Sequence, residues 1–217
     1  MRRLILVLAV LGLLTGFAID VGAESITFTF VGVVDHVDDP YGVVGGNVSV
    51  GTPFTGTYTF DSDEPDADPS PTCGRYYYDN VPDEFSMTVT VGPFTFVADE
   101  LDPYNFSTEI DVEDNNGMTP KDSYRVFTRE LTSEEIPVSG LQMELATFEN
   151  LDAITSDALL LSPPNLLLFE ATNQFRVYNL VSGESDFIIA GPLTDLCVGP
   201  SSVEDRDTWS RTKRMFR

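Results

Sequence analysis

Apolar side chains recur at every second position along most of this chain. Ile26, Phe28 and Phe30 alternate with Thr27 and Thr29. Phe54, Gly56, Tyr58 and Phe60 alternate with Thr55, Thr57 and Thr59, and Phe85, Met87, Val89 and Val91 with Ser86, Thr88 and Thr90. Successive side chains of a strand point to opposite faces, so a period of two describes a strand with one face buried. The residue types agree, because Thr, Val, Phe and Tyr fit a half-buried pleated surface. Gly32 interrupts the first run, and Val33 and Val37 continue it on the other parity, the mark of a bulge. Phe94 and Phe96 follow Gly92-Pro93, a hairpin-type turn.

The second half repeats the pattern less regularly. Ile110 and Val112 form a short strand before the turn residues Asp114 to Gly117, and Tyr124 to Phe127 form another. Leu141, Met143 and Leu145 alternate with Gln142 and Glu144. Asn165 to Glu170 reads as a strand buried on both faces, Phe175 to Asn179 as the next, and Phe187 to Leu196 as the last. Helical periodicity is weak outside the N-terminus, and Glu149 to Leu161 has room for one short turn of helix. The expected fold is all-β, an antiparallel β-sandwich, jelly-roll-like, of roughly ten strands.

Residues 1–23 have the layout of a secretory signal peptide. Arg2 and Arg3 precede an apolar run from Leu4 to Ala18, and Val21-Gly22-Ala23 supplies the cleavage site. That run is short for a membrane helix, which needs about 20 residues, and no later stretch is apolar and long enough to span. The expected location is secreted or extracellular, with the periplasm or cell surface as the alternative. Cleavage removes two Arg and one Asp, which moves the net charge from −23 to −24. Such a charge repels nucleic acid and anionic lipid and favours cations. Hydrophobic content of 42% is too high for a disordered acidic segment, so a packed core is expected over residues 24–200. The stretch 201–217 carries half of the mature chain's basic residues and reads as a flexible basic tail.

Four groups of residues bear on chemistry. The first is DSDEPDADPSP, residues 61–71. Asp61, Asp63, Asp66 and Asp68 could supply oxygen ligands to calcium. The spacing is not that of an EF-hand: counting from Asp61, Asp66 stands where glycine is required and Thr72 where glutamate is. A proline-stiffened, solvated turn is the structural alternative. Second, Tyr76 and Tyr78 adjoin this loop, and aromatic rings beside carboxylates suit a sugar; in a strand they share one face, with Tyr77 on the other. Third, Cys73 and Cys197 are the only cysteines. In an exported chain they invite a disulfide, worth about 4–5 kcal/mol in the chain-entropy model, and two cysteines alone exclude a Cys-rich zinc site. Fourth, His36 is the only histidine and stands in a predicted edge strand, with no nucleophile turn nearby. No catalytic residue is assigned.

The run from Phe28 to Asp79 resembles the exported β-domain of bacterial PEP-CTERM sorting-domain proteins. The similarity lies in Val50-Gly51, Phe54, Gly56, Tyr58 and Phe60-Asp61, followed by Asp66, Asp68 and Pro69. Further on it lies in Asp122-Ser123-Tyr124, in Leu141, Met143 and Leu145, and in Ile189-Ala190-Gly191 with Leu193-Thr194. Such proteins usually end in a V-P-E-P motif, an apolar span and a basic cluster. Here Val198-Gly199-Pro200 leads to the cluster Arg211 to Arg217 without that span, so the expectation is secretion without the anchor. The resemblance implies exopolysaccharide or other envelope polymers as partners. The functional expectation is a non-enzymatic extracellular or cell-envelope matrix protein. A calcium-dependent carbohydrate-binding module is the alternative, and a carboxylate-based hydrolase the third reading.

Overall fold

Phe28 and Phe30 are fully buried and the alternating Thr27 and Thr29 are half-buried, so the alternation becomes strand β1 (Ser25–Val33). A computed structural model of the protein describes residues 24–78, 84–98, 108–116, 120–129, 131–181 and 184–199. The proposed signal peptide and basic tail lie outside them. β1 belongs to a five-stranded antiparallel sheet with β3 (Pro53–Asp61), β5 (Phe85–Val91), β6 (Phe94–Ala98) and β12 (Leu193–Val198), in the order β12-β1-β3-β5-β6. A seven-stranded sheet packs against it. Its strands are β2 (His36–Asp38), β4 (Cys73–Tyr77), β7 (Thr108–Asn116), β8 (Lys121–Thr128), β9 (Gly140–Thr147), β10 (Thr172–Val181) and β11 (Glu184–Gly191). Their order is β2-β11-β10-β9-β8-β7-β4. The result is the expected all-β sandwich. From β7 to β11 the larger sheet runs as a meander of sequence neighbours, where a jelly roll would keep changing sheets.

Two strand assignments are corrected. Residues 165–170 form no strand. The side-chain Oδ1 of Asn165 accepts the N–H of Leu167 at 3.2 Å and caps a 3₁₀ turn at Leu166–Leu168, which leaves Leu167 91% exposed. The apolar run has the length of a buried strand but the period of a turn. The stretch 187–196 is two strands, because Pro192 cannot donate to a ladder. β11 ends before it in one sheet and β12 begins after it in the other. The bulge appears where Gly32 suggested, as a register shift between Val31 and Gly32 against β12. Gly92 takes φ +58° in the β5–β6 turn, a value that favours glycine.

Aromatic rings fill the space between the sheets. Phe54 stacks on Phe175 with centroids 4.5 Å apart, and Phe28 meets Tyr58 and Phe60 edge-on at 5.5 and 5.4 Å. Each fully buried ring is worth about 1.5–3 kcal/mol in apolar transfer. Among the described residues one hydrogen bond between side chains crosses this core: the hydroxyls of Tyr58 on β3 and Tyr124 on β8 lie 3.0 Å apart, both fully buried. The outward face of β1, β3 and β5 carries Thr27, Thr29, Thr55, Thr57, Thr59, Ser86, Thr88 and Thr90. Charge is concentrated on the opposite side, on the outer face of the seven-stranded sheet.

Candidate functional site

The acidic loop uses its carboxylates to hold its own backbone. Asp61 Oδ1 accepts the N–H of Asp63 at 2.9 Å, Asp66 Oδ1 that of Asp68 at 2.8 Å, and Asp68 Oδ1 that of Ser70 at 2.9 Å. Each contact is the i to i+2 turn that aspartate favours. Asp66 Oδ1 also accepts the N–H of Arg75 at 2.9 Å, and the Ala67 N–H donates to the Arg75 carbonyl at 2.9 Å. Arg75 lies on β4, an edge strand of the larger sheet, so the loop occupies hydrogen-bonding groups that the edge would otherwise present to another chain. Among the described residues no group of three or more His, Cys, Asp or Glu side chains is gathered as a metal site. The four aspartates are not brought together as one ligand set.

Tyr76 and Tyr78 are not a sugar platform. They share one face, as the alternation requires, but it is the inward face, where both are buried. Tyr76 donates to the Asp157 carbonyl at 3.0 Å and Tyr78 to the Asp61 carbonyl at 3.2 Å. Burial, with help from Asp66, pushes the Tyr76 hydroxyl up to about 12, and burial raises Tyr78 further. The expected disulfide is also corrected. No bond joins Cys73 and Cys197. Cys73 is on β4, and Cys197 is on β12, which continues from β11 through Pro192 alone. β4 is an edge strand of the seven-stranded sheet and β12 an edge strand of the five-stranded one. Burial, reinforced by Asp68 and Glu113, pushes the Cys73 thiol up to about 11. The Cys197 thiol donates to the Thr29 carbonyl at 3.7 Å. His36 is exposed on β2, the opposite edge strand, as predicted.

The outer face of the seven-stranded sheet brings together residues that the inward pattern left aside. One cross-strand row reads Arg75, Asp111, Arg125, Glu144, alternating in charge over four strands. Asp111 is 6% exposed and lies between both arginines: Arg75 Nε is 3.3 Å from its Oδ1, and Arg125 Nη2 reaches its Oδ2. Arg125 also pairs with Glu109 at 2.6 Å, and Lys121 with Glu113 at 2.6 Å. Burial alone would raise the Glu113 carboxyl, but hydrogen bonds from Lys121, Ser123 and Asn116 outweigh it and hold the group below its usual range. A general acid needs the opposite shift.

Beside this row lies a cavity of about 220 Å³ lined by Arg176, Tyr178, Leu180 and Ile188. β10 sends Phe175 and Val177 into the core and presents Arg176, Tyr178 and Leu180 on the other face. Arg176 Nη2 donates to Gln142 Oε1 at 2.6 Å, and its Cζ is 5.7 Å from the centre of the Tyr178 ring. Its Nε is buried without an acceptor among the described residues. Reading β10 for its core residues misses this site; the other parity of the same strand holds the signal. Compared with known proteins, the chain matches no family model, no curated protein and no solved structure.

Proposed function

We propose that the protein is an exported, non-enzymatic matrix component that works by surface contact with extracellular or envelope polysaccharide. The observation that carries this reading is how the acidic side chains are used. Those of the loop fold turns and cover an edge, and Glu109, Asp111 and Glu113 of β7 are neutralised by Arg75, Lys121 and Arg125. Hydrolysis of a glycosidic bond needs two carboxyl groups facing each other across a cleft, one of them kept protonated. Glu113 is driven toward its ionised form instead. Two broad outer faces of a rigid sandwich, one rich in hydroxyls and one in fixed charges, suit adhesion to a polymer. Incubation of the full-length protein with insoluble polysaccharides tests this, by co-sedimentation and by assay of reducing ends. Binding without release of reducing ends is expected. Cleavage that follows the protein through purification and is lost in Glu113→Gln would overturn it.

A further inference from the structure

We propose that the outer face of β9, β10 and β11 carries a subsite for one carboxylate-bearing sugar ring, and this rests on the polysaccharide-contacting reading above. Arg176 holds the carboxylate. Tyr178, Leu180 and Ile188 cover the apolar face of the ring.

The argument begins with charge. Five cations are described, and Arg75, Lys121 and Arg125 each sit on a carboxylate. Arg129 stacks over the Phe127 ring at the exposed end of β8. Arg176 differs in environment. Its hydrogen bond goes to a neutral amide, and its buried Nε has no acceptor among the described residues. A guanidinium offers five donors, and a desolvated donor without a partner is costly. The sequence holds 35 acidic residues, yet none of those described is set against this arginine. A carboxylate brought by a ligand to the cavity side of the guanidinium supplies the counter-charge that Arg176 lacks, with a charge-assisted bond.

Shape supplies further support. A Cβ built on Gly140 would stand 2.6 Å from the Tyr178 hydroxyl and 2.8 Å from Cζ of its ring. The ring therefore lies down across β9 at the one residue there without a side chain. Ile188 is the register partner of Tyr178 and extends the apolar floor. Leu180, 47% exposed, forms a wall. Ala190 is opposite Arg176 and keeps the approach to the guanidinium low. The cavity of about 220 Å³ has the volume of ~7 waters at ~30 Å³ each, on the scale of a single sugar ring. An aromatic floor beside an incompletely bonded guanidinium matches a pyranose with a carboxylate at its edge.

The test is calorimetric titration of the full-length protein with a galacturonate tetramer and, separately, a galactose tetramer. Salt near 0.15 M keeps the Debye length at about 8 Å and screens the repulsion from the molecule's net negative charge. The acidic tetramer is expected to bind roughly tenfold or more tightly than the neutral one. Arg176→Gln removes that preference. Tyr178→Ala weakens both, and Gly140→Ala, which lifts the ring, weakens both while leaving the preference. Circular dichroism verifies that each variant folds. Equal affinity for the two tetramers, or galacturonate binding unchanged in Arg176→Gln, overturns the subsite. Co-sedimentation with polymer but no binding of either tetramer overturns the subsite and spares the polysaccharide reading. Absence of both overturns that reading as well.

Discussion

The Tyr58–Tyr124 contact is the only hydrogen bond between side chains of the two sheets within the aromatic core of the described residues, and its removal has a distinctive energetic signature. Tyr58→Phe or Tyr124→Phe deletes one hydroxyl and strands the other, fully buried, 3.0 Å from where its partner stood. An unsatisfied buried hydroxyl costs about 1–3 kcal/mol, so each single variant should lose about 1–2 kcal/mol. The double variant removes both hydroxyls and leaves two phenylalanines in a site already walled by rings. It should return to within about 1 kcal/mol of the parent, because no polar group is left stranded. Urea unfolding followed by circular dichroism on the four proteins gives the cycle. A double variant whose loss equals the sum of the singles would refute the reasoning. Burial raises both hydroxyls above the ordinary tyrosine value, Tyr58 further by its neighbour Tyr124. Groups raised in the folded state contribute fully below their unfolded value. The parent should therefore lose stability as the pH rises past about 10, and the double variant should lose less.

Glu170 gives the mirror case in acid. Hydrogen bonds, led by that from Thr147 Oγ1 at 2.6 Å, hold its carboxyl down to about 2. Its contribution is present above the unfolded glutamate value and is lost between about 4 and about 2. Glu170→Gln should flatten that limb of the urea midpoint plotted against pH; an unchanged limb rejects the assignment. Asp66→Ala frees the β4 edge at Arg75 and should bring concentration-dependent association in sedimentation velocity, whereas a variant as monodisperse as the parent would deny the loop its covering role. Millimolar calcium should leave the melting temperature unchanged, and a rise of several degrees would mean that the loop aspartates regroup as ligands. Alkylation in denaturant without reductant should label both cysteines, and an intact mass two hydrogens short would restore the bridge.

The sequence shows the sandwich through residues such as Phe28, Tyr58 and Val89, because alternation records directly which side chains a sheet buries. It misleads at Leu166–Leu168, where a short apolar run fits a strand and a capped turn equally well and only the Asn165 cap decides. It is silent about the partners of strands distant in the chain. The cysteines are an example: the sequence does not show that Cys73 and Cys197 stand, unbonded, on edge strands of different sheets. The acidic loop is legible in composition but not in purpose, since a carboxylate that folds its own turn has the same letter as one that holds a metal. The Arg176 cavity follows from parity on β10, yet its significance depends on what Arg176 lacks, which only the folded surroundings show.

β1 and β12 are antiparallel neighbours, with Phe28 opposite Val198, so the first and last strands of the described residues end at the same pole. A pull applied between those ends would load the ladder like a zipper. Rungs would open in succession from Val198 toward Leu193, and the resisting force would be that of a single rung at a time. Beyond Leu193 the tether passes through Pro192 into β11 of the other sheet, where the load changes from peeling to separating two packed layers. Tension between the two ends should therefore release β12 first, at low force, and meet the main mechanical barrier only after that strand is gone.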